Sequence, residues 1–396
     1  MSQPPSSAPR QKLSPILGLP VDDDPAGEPL TPEPLATGVT PFGEPVTLEL
    51  SVIIPARNEE ANLPACLSSL LAQDSDLFPL GTQWEIIVID DQSTDRTRSI
   101  ASEITSKHQG VSILEAPPLG SHEAGGTVTA FTGKTNACWF GAQHARGQWL
   151  LFTDADTIHE PNDLRHALHE AEKYRAVLLS YSPRQIVTGI PQRVVMPLIF
   201  SELASVYPMA EVNDPNRRTA AANGQFLLVE RKAYFSAGGH RAVGGSVLED
   251  VELAWNVKRA NLPIRFRYAP DALSTRMYRG FGDLVEGWTK NLALLFPHAL
   301  KLAAWRLLDI ALLLLPVLLW LLPYLVLWQR AAIILLWLRT VLRFYTRVAR
   351  SHFGFVNCAI SVFGLPLFIF LLMKSWAVHH MFHQVAWKGR QYHTGR

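Results

Sequence analysis

Four acidic clusters in this chain stand where apolar runs give way to polar loops, and each has a spacing that could do chemistry. Ser51 to Glu60 (SVIIPARNEE) is an apolar, β-branched run ending in Pro55, Arg57 and Glu59. In an open α/β sheet ligands bind beyond the carboxyl ends of the strands, the place that Pro55 to Glu59 would occupy. Ile89 to Asp95 (IDDQSTD) sets two carboxylates at the end of a buried run, which is costly without a partner. Asp91 can accept from the imide N–H of a uracil base, with Ser93 or Thr94 capping the next helix and Asp95 in its first turn. The competing reading makes Asp90 and Asp91 plain turn and cap residues. Thr153 to Thr157 (TDADT) carries Asp154 and Asp156, an Asp-x-Asp pair able to hold a divalent cation between the phosphates of a nucleoside diphosphate. Oxygen ligands suit Mg²⁺ or Mn²⁺, and the cation would offset charge on the leaving diphosphate. Lys134, upstream in GKTNA, either supports a phosphate or is a surface lysine. Gly244 to Asp250 (GGSVLED) brings Glu249 and Asp250 to the point where a loop becomes a helix. A carboxylate there can take the proton of an attacking hydroxyl as general base, or can serve only the helix dipole.

The elements that must position these clusters alternate in type. Leu50 to Ile54, Trp84 to Ile89, Ser112 to Leu114 and Trp149 to Thr153 read as strands. Glu59 to Ala72, Asp95 to Lys107, Lys134 to Ala145 and Val251 to Arg259 read as helices. Buried strands with helical crossovers predict an α/β domain whose mainly parallel sheet is covered on both faces.

The flanks differ. Residues 1–46 are rich in Pro, Ser, Gly and acidic side chains and are expected to form a disordered tail, because they cannot bury enough apolar surface to offset their ordering entropy. Their first residues, MSQPPSSAPRQKL, lack the apolar core of a secretory signal, so the front domain is expected in the cytosol. Leu307 to Leu338 is apolar almost throughout, broken by Asp309, Gln329 and Arg330, and Phe353 to Met373 is a second apolar run without a charge. About 20 such residues span a bilayer as a helix, which predicts C-terminal membrane helices. Pro316 and Pro323 would break or kink the first run. Arg339, Arg343, Arg347 and Arg350 share one helix face. They fit either the cytosolic end of a returning span or an interfacial helix against anionic headgroups. The expected division is a tail over 1–46, a catalytic domain over 47–300 and membrane-anchoring helices with a short basic end over 301–396.

Composition excludes other classes. Lys and Arg number 36 against 35 Asp and Glu, a net charge of +1, so no basic surplus argues for a nucleic-acid partner. Cys66, Cys138 and Cys358 form no C-x-x-C pair and no zinc set, and read as reduced structural thiols. No G-x-G-x-x-G follows the first strand, against a dinucleotide-binding dehydrogenase. The oligomeric state leaves no trace in the sequence.

Taken in order, the motifs PxRNE, VIDDxSxD, GK…DAD and NGQ…ED resemble those of the inverting family 2 glycosyltransferases of the GT-A fold, over about residues 48–295. The resemblance implies a nucleotide-sugar donor, Pro55, Arg57, Glu59 and Lys134 on its side of the site, Asp91 at the base, Asp154 near the sugar and Asp156 on the metal and diphosphate. It implies Asp250 as general base, with Asn223, Gly224, Gln225 and Glu249 along the sugar and acceptor site. Processive members carry Gln-x-x-Arg-Trp after the Glu-Asp. Here the stretch is Glu286 to Asn291 (EGWTKN), a departure that argues against polymer synthesis. The segment MYRGFGDLVEGWTKN (277–291) before hydrophobic helices looks like membrane transferases of the carotenoid and hopanoid pathways, which implies a lipid acceptor, with Trp288 and Lys290 as acceptor or diphosphate contacts or, equally, Trp288 as a packing residue of an interfacial helix. Two other functions stay open. A polyprenyl-phosphate glycosyltransferase would need no base, because its acceptor is already ionised; a sugar-nucleotide-binding membrane scaffold would not turn over at all.

Overall fold

The computed structural model describes residues 45–119 and 131–382, together with the backbone of two short strand pairs near the termini. The tail expected over 1–46 lies almost wholly outside the described residues.

The central sheet has seven strands. β1 (Leu48–Ala56), β2 (Trp84–Asp90), β3 (Val111–Glu115) and β4 (Gly147–Phe152) are joined by α1 (Leu63–Leu71), α2 (Thr97–Thr105) and α3 (Gly133–His144). After β5 (Thr157–His159) and α4 (Asp163–Lys173) come β6 (Leu178–Ser182), β7 (Arg184–Gln185), α5 (Ile190–Val206), α6 (Met209–Val212) and β8 (Leu227–Glu230). The helices α7 (Arg231–Ser236), α8 (Gly239–Ala242) and α9 (Glu249–Arg259) precede β9 (Ile264–Tyr268) and β10 (Leu273–Thr275). The sheet order is β9-β6-β8-β4-β1-β2-β3, and β8 alone runs antiparallel to its neighbours. A smaller sheet, β5-β10-β7, stands beside it.

Alternation along the strands makes two cores. Leu50, Val52 and Ile54 of β1 face α1 and α4, whereas Ile53 with Ile87 and Ile89 faces α3 and α9. Glu85, inside the buried strand β2, is neutralised at its hidden end by Arg146 Nη2 at 2.8 Å and Ser51 Oγ at 2.7 Å. Pro55, read as the end of the first strand, lies within it and pairs with Ile89. Pairing of β1 with β4 stops at Ile53, so on that edge the missing proline N–H costs no ladder bond. Asp95 lies just before α2 rather than in its first turn, its Oδ1 accepting from Thr97 N at 2.9 Å, and Ser93 Oγ accepts from Asn58 N at 3.1 Å.

A third core gathers α5, α10 (Phe281–Leu295), α11 (Ala299–Trp320), α12 (Leu327–Val348) and α14 (Leu365–Ala377), which follows the short α13 (Phe355–Ile360). The apolar stretch 307–338 breaks at residues 321–326, around Pro323, while Pro316 stays inside α11. Among the described residues, two helical segments, Ala299–Trp320 and Phe355–Phe382, are long and apolar enough to cross a membrane. The arginines predicted to share a face divide. Arg339 and Arg343 are exposed on α12, Arg350 lies in a 3₁₀ turn, and Arg347 turns inward to Asp309 at 2.7 Å.

Candidate active site

The carboxyl ends of β2, β1 and β4 lie side by side, and the loops that leave them are tied together. Asp91 N donates to Ala56 O at 2.8 Å, and Arg57 Nη1 donates to Asp91 O at 2.7 Å and Gln92 O at 3.3 Å. Thr94 N donates to Asn58 Oδ1 at 2.8 Å, and Glu59 N to Thr97 Oγ1 at 2.7 Å. Asn58 and Gln92 both hold positive φ, 52° and 56°. That conformation is unfavourable for a side chain such as glutamine, and the cross-loop bonds hold it. The Glu59 carboxylate accepts from Asn62 Nδ2 at 2.7 Å. Arg57 and Glu59 therefore fix the rim that presents Asp91.

Beyond β4, Asp154 meets the start of α3. Lys134 Nζ lies 2.9 Å from Asp154 Oδ1 and 2.9 Å from Glu249 Oε1, so one ammonium joins the Asp-x-Asp loop to the first turn of α9. The start of α3 is built for this: Thr132 and Thr135 cap it reciprocally, and Thr135 Oγ1 donates to Gly244 O at 2.5 Å, tying α3 to the loop before α9. Asp250 is held by backbone alone: Oδ2 accepts from Gly224 N at 2.7 Å and Oδ1 from Val251 N at 2.8 Å. Glycine at 224 leaves room for the ammonium, because a Cβ there would stand 2.9 Å from Lys134 Nζ and displace it, and 3.5 Å from Asp250 Oδ2. Gln225 Nε2 donates to Thr275 Oγ1 at 3.1 Å, and Thr275 Oγ1 donates to Asp156 O at 3.2 Å, so Asn223 to Gln225 is linked to both acid clusters.

These contacts divide the two adjacent acids. Burial drives both towards protonation. For Glu249, Lys134 and Lys290 overcome it and hold the carboxyl below its ordinary range. For Asp250, burial and the charge of Glu249 outweigh Lys134 and the backbone N–H groups, pushing it up to about 6. Lys134 itself is held well above the usual lysine range: burial opposes the charge, but Asp154 and Glu249 outweigh it. Lys290 is lowered by burial, with Glu249 opposing. A carboxylate pushed up to about 6 beside one held ionised is the pairing expected of an acid–base site.

Among the described residues no group of three or more His, Cys, Asp or Glu side chains is gathered as a metal cage. Asp154 and Asp156 supply carboxylate oxygens from one loop. A cation bound through one or two carboxylates, with its other ligands from substrate phosphates and water, is how Mg²⁺ usually binds, and the donor set fits that group.

The family model described as glycosyl transferase family 2 matches residues 51–124 and 127–234. The 4,4'-diaponeurosporenoate glycosyltransferase of Staphylococcus haemolyticus (strain JCSC1435) is 30% identical over 378 residues, covering 87% of this chain and 89% of its own length. This chain belongs to the family 2 glycosyltransferases. The protein of the same name from Staphylococcus aureus (strain USA300) is 26% identical over 356 residues, 87% of this chain and 88% of its own. Among solved structures, the mannosyltransferase PcManGT from Pyrobaculum calidifontis, in complex with GDP-Man and Mn²⁺, aligns at a TM-score of 0.47 and 16% identity, over 85% of this chain and 88% of that one. The mixed, mainly parallel sheet with helices on both faces is the GT-A arrangement of this glycosyltransferase family.

Not every residue singled out in this glycosyltransferase reaches the cluster. Lys290 does, on α10, where Glu249, Lys134, Asp154 and Asp250 all act on its charge. Trp288, two residues earlier, does not. It is 3% exposed, packs against Tyr278 and Phe200, and donates its indole N–H to Met196 Sδ at 3.2 Å. The helical turn that aims Lys290 at the acids aims Trp288 into the third core, the packing position that the sequence also allowed for it. Two further residues belong to the site's frame and were missed. Thr275 bridges Gln225 to the Asp156 loop; it precedes the segment 277–291 and carries no motif of its own. Arg279 donates to Ala61 O at 2.8 Å and Asn62 Oδ1 at 2.5 Å, pinning the segment before α10 to the start of α1. Its only signal is its place inside MYRG.

Proposed function

We propose that this glycosyltransferase moves a single sugar, with inversion, from a nucleoside diphosphate sugar to a hydroxyl or carboxyl of a long apolar acceptor of carotenoid type at the cytosolic membrane face. A UDP-sugar is the donor read from Asp91. The observation that carries this is the meeting of Asp154, Glu249 and Asp250 around Lys134 and Gly224 at the carboxyl end of the sheet. The acceptor class is supported by the name of the relatives, whose printed substrate is diaponeurosporenoate.

In this mechanism Asp91 accepts from the base. Asp156, with Asp154, would hold Mg²⁺ or Mn²⁺, which would supply Lewis-acid stabilisation of the departing diphosphate charge. Asp250 takes the proton of the attacking hydroxyl as the bond from the anomeric carbon to the acceptor oxygen forms and the bond to the diphosphate oxygen breaks. Its carboxylate is aimed by the Gly224 and Val251 N–H groups, and Lys134 keeps Glu249 and Asp154 from repelling it further. Asn223 to Gln225 and Lys290 border the sugar and acceptor, and holding both substrates in one cleft supplies much of the rate. Residues 47–300 do the chemistry and the helices of 301–396 anchor the chain.

A carboxylate acceptor is favoured by the relatives' name and arrives already ionised, so it asks no proton of Asp250. The test is turnover by the purified full-length protein in detergent. UDP-sugars are offered with paired polyene acceptors ending in a hydroxyl or a carboxylate, and product is read by mass spectrometry. A glycoside or glycosyl ester is expected. Tight nucleotide binding without product across the panel would reject the enzyme in favour of a binding scaffold.

A further inference from the structure

The helices after Pro297 carry charges at a definite height. Arg306 and Asp309 of α11 meet Arg347 of α12 and Glu202 of α5 in one four-membered network: Arg306 Nη1 lies 2.9 Å from Glu202 Oε1, and Arg347 Nη2 lies 2.7 Å from Asp309 Oδ2. Past Asp309, α11 runs from Ile310 to Trp320 without a charge. Eleven residues at 1.5 Å each reach about 17 Å, roughly half of a hydrocarbon core of about 30 Å. The chain turns there and comes back as α12. Trp337 Nε1 donates to Leu313 O at 3.0 Å, and the next residues towards the network include exposed Arg339 and Arg343. Charge therefore stops and resumes at matching heights on the two helices. If the pair crossed the bilayer, the network and both exposed arginines would sit near its middle, where charge facing lipid is strongly disfavoured. The charge near the tip, Arg330, is absorbed locally: its guanidinium donates to Leu322 O and Leu325 O, carbonyls that the turn leaves open, and lies over the Trp320 ring.

The second long apolar segment is held flat against the catalytic domain. Leu365, Phe368, Leu371 and Leu372 of α14 are buried in the third core, and Gly364 approaches α5 so closely that a Cβ would stand 2.2 Å from Val194 O. Ser375 Oγ accepts from Ala293 N at 2.8 Å, and His379 Nε2 lies 2.8 Å from Lys290 O. The end of α14 thus lies level with the helix that carries Lys290 to the acid cluster. Its other face, Phe363, Phe370 and Met373, is exposed and apolar. Both ends of the segment are tied to helices of the catalytic domain, Asn357 Oδ1 accepting from Arg193 Nε of α5 at 2.9 Å at one end and His379 meeting Lys290 O of α10 at the other, which fits a segment lying along a membrane surface rather than through it.

We infer that this chain is monotopic: α14 lies in the surface of one leaflet, the α11–α12 hairpin dips to about mid-bilayer, and no described helix crosses. The inference rests on the membrane attachment proposed above and adds its geometry. It puts the acid cluster and an apolar acceptor on the same leaflet.

The test uses the full-length protein in sealed vesicles, with cysteine placed at Tyr324 in the hairpin tip (74% exposed), at Phe363 (77% exposed), or, as a water-facing control in the catalytic domain, at exposed Lys107. Tyr324→Cys should resist a membrane-impermeant maleimide from either side. A fluorophore attached there before reconstitution should be quenched best by nitroxides deep in the acyl chains. The same probe at Phe363→Cys should be quenched best by shallow nitroxides. Labelling of Tyr324→Cys from the side opposite to Lys107→Cys would overturn the inference and leave membrane attachment standing. Release by alkaline carbonate, with labelling of Tyr324→Cys on the same side as Lys107→Cys, would overturn both.

Discussion

Asp250→Asn separates a base from a cap, and the structure fixes what the variant should cost. With Asp250 pushed up to about 6, its ionised fraction is about 90% at pH 7 and about 10% at pH 5. Turnover of a hydroxyl acceptor by the native chain should therefore rise about tenfold between pH 5 and pH 7. Removing a general base typically costs about 10²–10⁴-fold, or about 3–5 kcal/mol of transition-state stabilisation, and the limb near pH 6 should vanish with it. Stability is the control, and it has two opposed parts. Both Asp250 oxygens accept backbone N–H bonds, so Asn must set its own NH₂ against one of them, a loss of about 1–3 kcal/mol. Against that, a folded pKa raised from 3.8 to about 6 favours the protonated form. The stability it contributes is complete below about pH 3.8 and lost as pH rises through about 6, a difference of about 3 kcal/mol that the uncharged Asn escapes. The two parts nearly cancel at pH 7, so Tm should move by only a few degrees. Stopped assays with paired hydroxyl and carboxylate acceptors, run beside calorimetry, give both readouts. Near-native turnover of a hydroxyl acceptor at unchanged Tm would refute the base. A large loss with the hydroxyl alone would assign the proton transfer to Asp250.

Gly224→Ala puts a Cβ 2.9 Å from Lys134 Nζ, so the ammonium must leave its midpoint between Asp154 and Glu249; turnover should fall about 10–10²-fold with little change in Tm, and native kinetics would refute the clamp. Chelation by excess EDTA should abolish turnover and Mg²⁺ or Mn²⁺ should restore it; full activity in EDTA would remove the metal role from Asp154 and Asp156. A chain ended at Pro297 should aggregate rather than become a soluble enzyme. It loses Ala299, Ala303, Phe344, Val348, Phe368 and Leu372 from the third core, each large apolar side chain worth about 1.5–3 kcal/mol when buried, and a folded, active fragment would contradict that core.

The strands β1, β2 and β4 were legible because each is a short apolar run ending in polar residues, and the helices between them because their apolar residues keep helical spacing. Residues 157–245 gave no such signal. The antiparallel β8 is only four residues long, and α5 is buried on several sides with Pro197 inside it, so its pattern has no polar face to mark a helix. The acids of the site were legible as types at strand ends and at a helix start, but their partners were not. Lys134 lies 115 positions before Glu249 and meets it only because α3 and α9 cover the same face of the sheet. Trp288 and Lys290 were both candidate acceptor contacts in sequence, with packing an equal reading for Trp288, and the angle between them around α10 sends them to different places. The apolar tail was readable as membrane-seeking, yet its partition into a hairpin and a packed helix depends on Asp309 and Arg347 meeting Glu202, which lies more than a hundred positions before either.

The adjacent pair Glu249-Asp250 shows why both acids are needed where one base would do. Burial raises Asp250, while Lys134 and the two backbone N–H groups on its oxygens favour the ionised form. Glu249, kept ionised by Lys134 and Lys290, places a negative charge beside Asp250 and adds to the upward shift that burial begins. The charge that does this is anchored to Asp154 through the same Lys134, so a donor diphosphate that draws Lys134 or Asp154 changes the field at Asp250 in the same event. If Lys134 leaves Glu249 for the diphosphate, repulsion between the two acids grows and Asp250 becomes a stronger base only once the donor is in place. In the proposed mechanism, one lysine placed between two acid clusters would thereby couple donor occupancy to the readiness of the base.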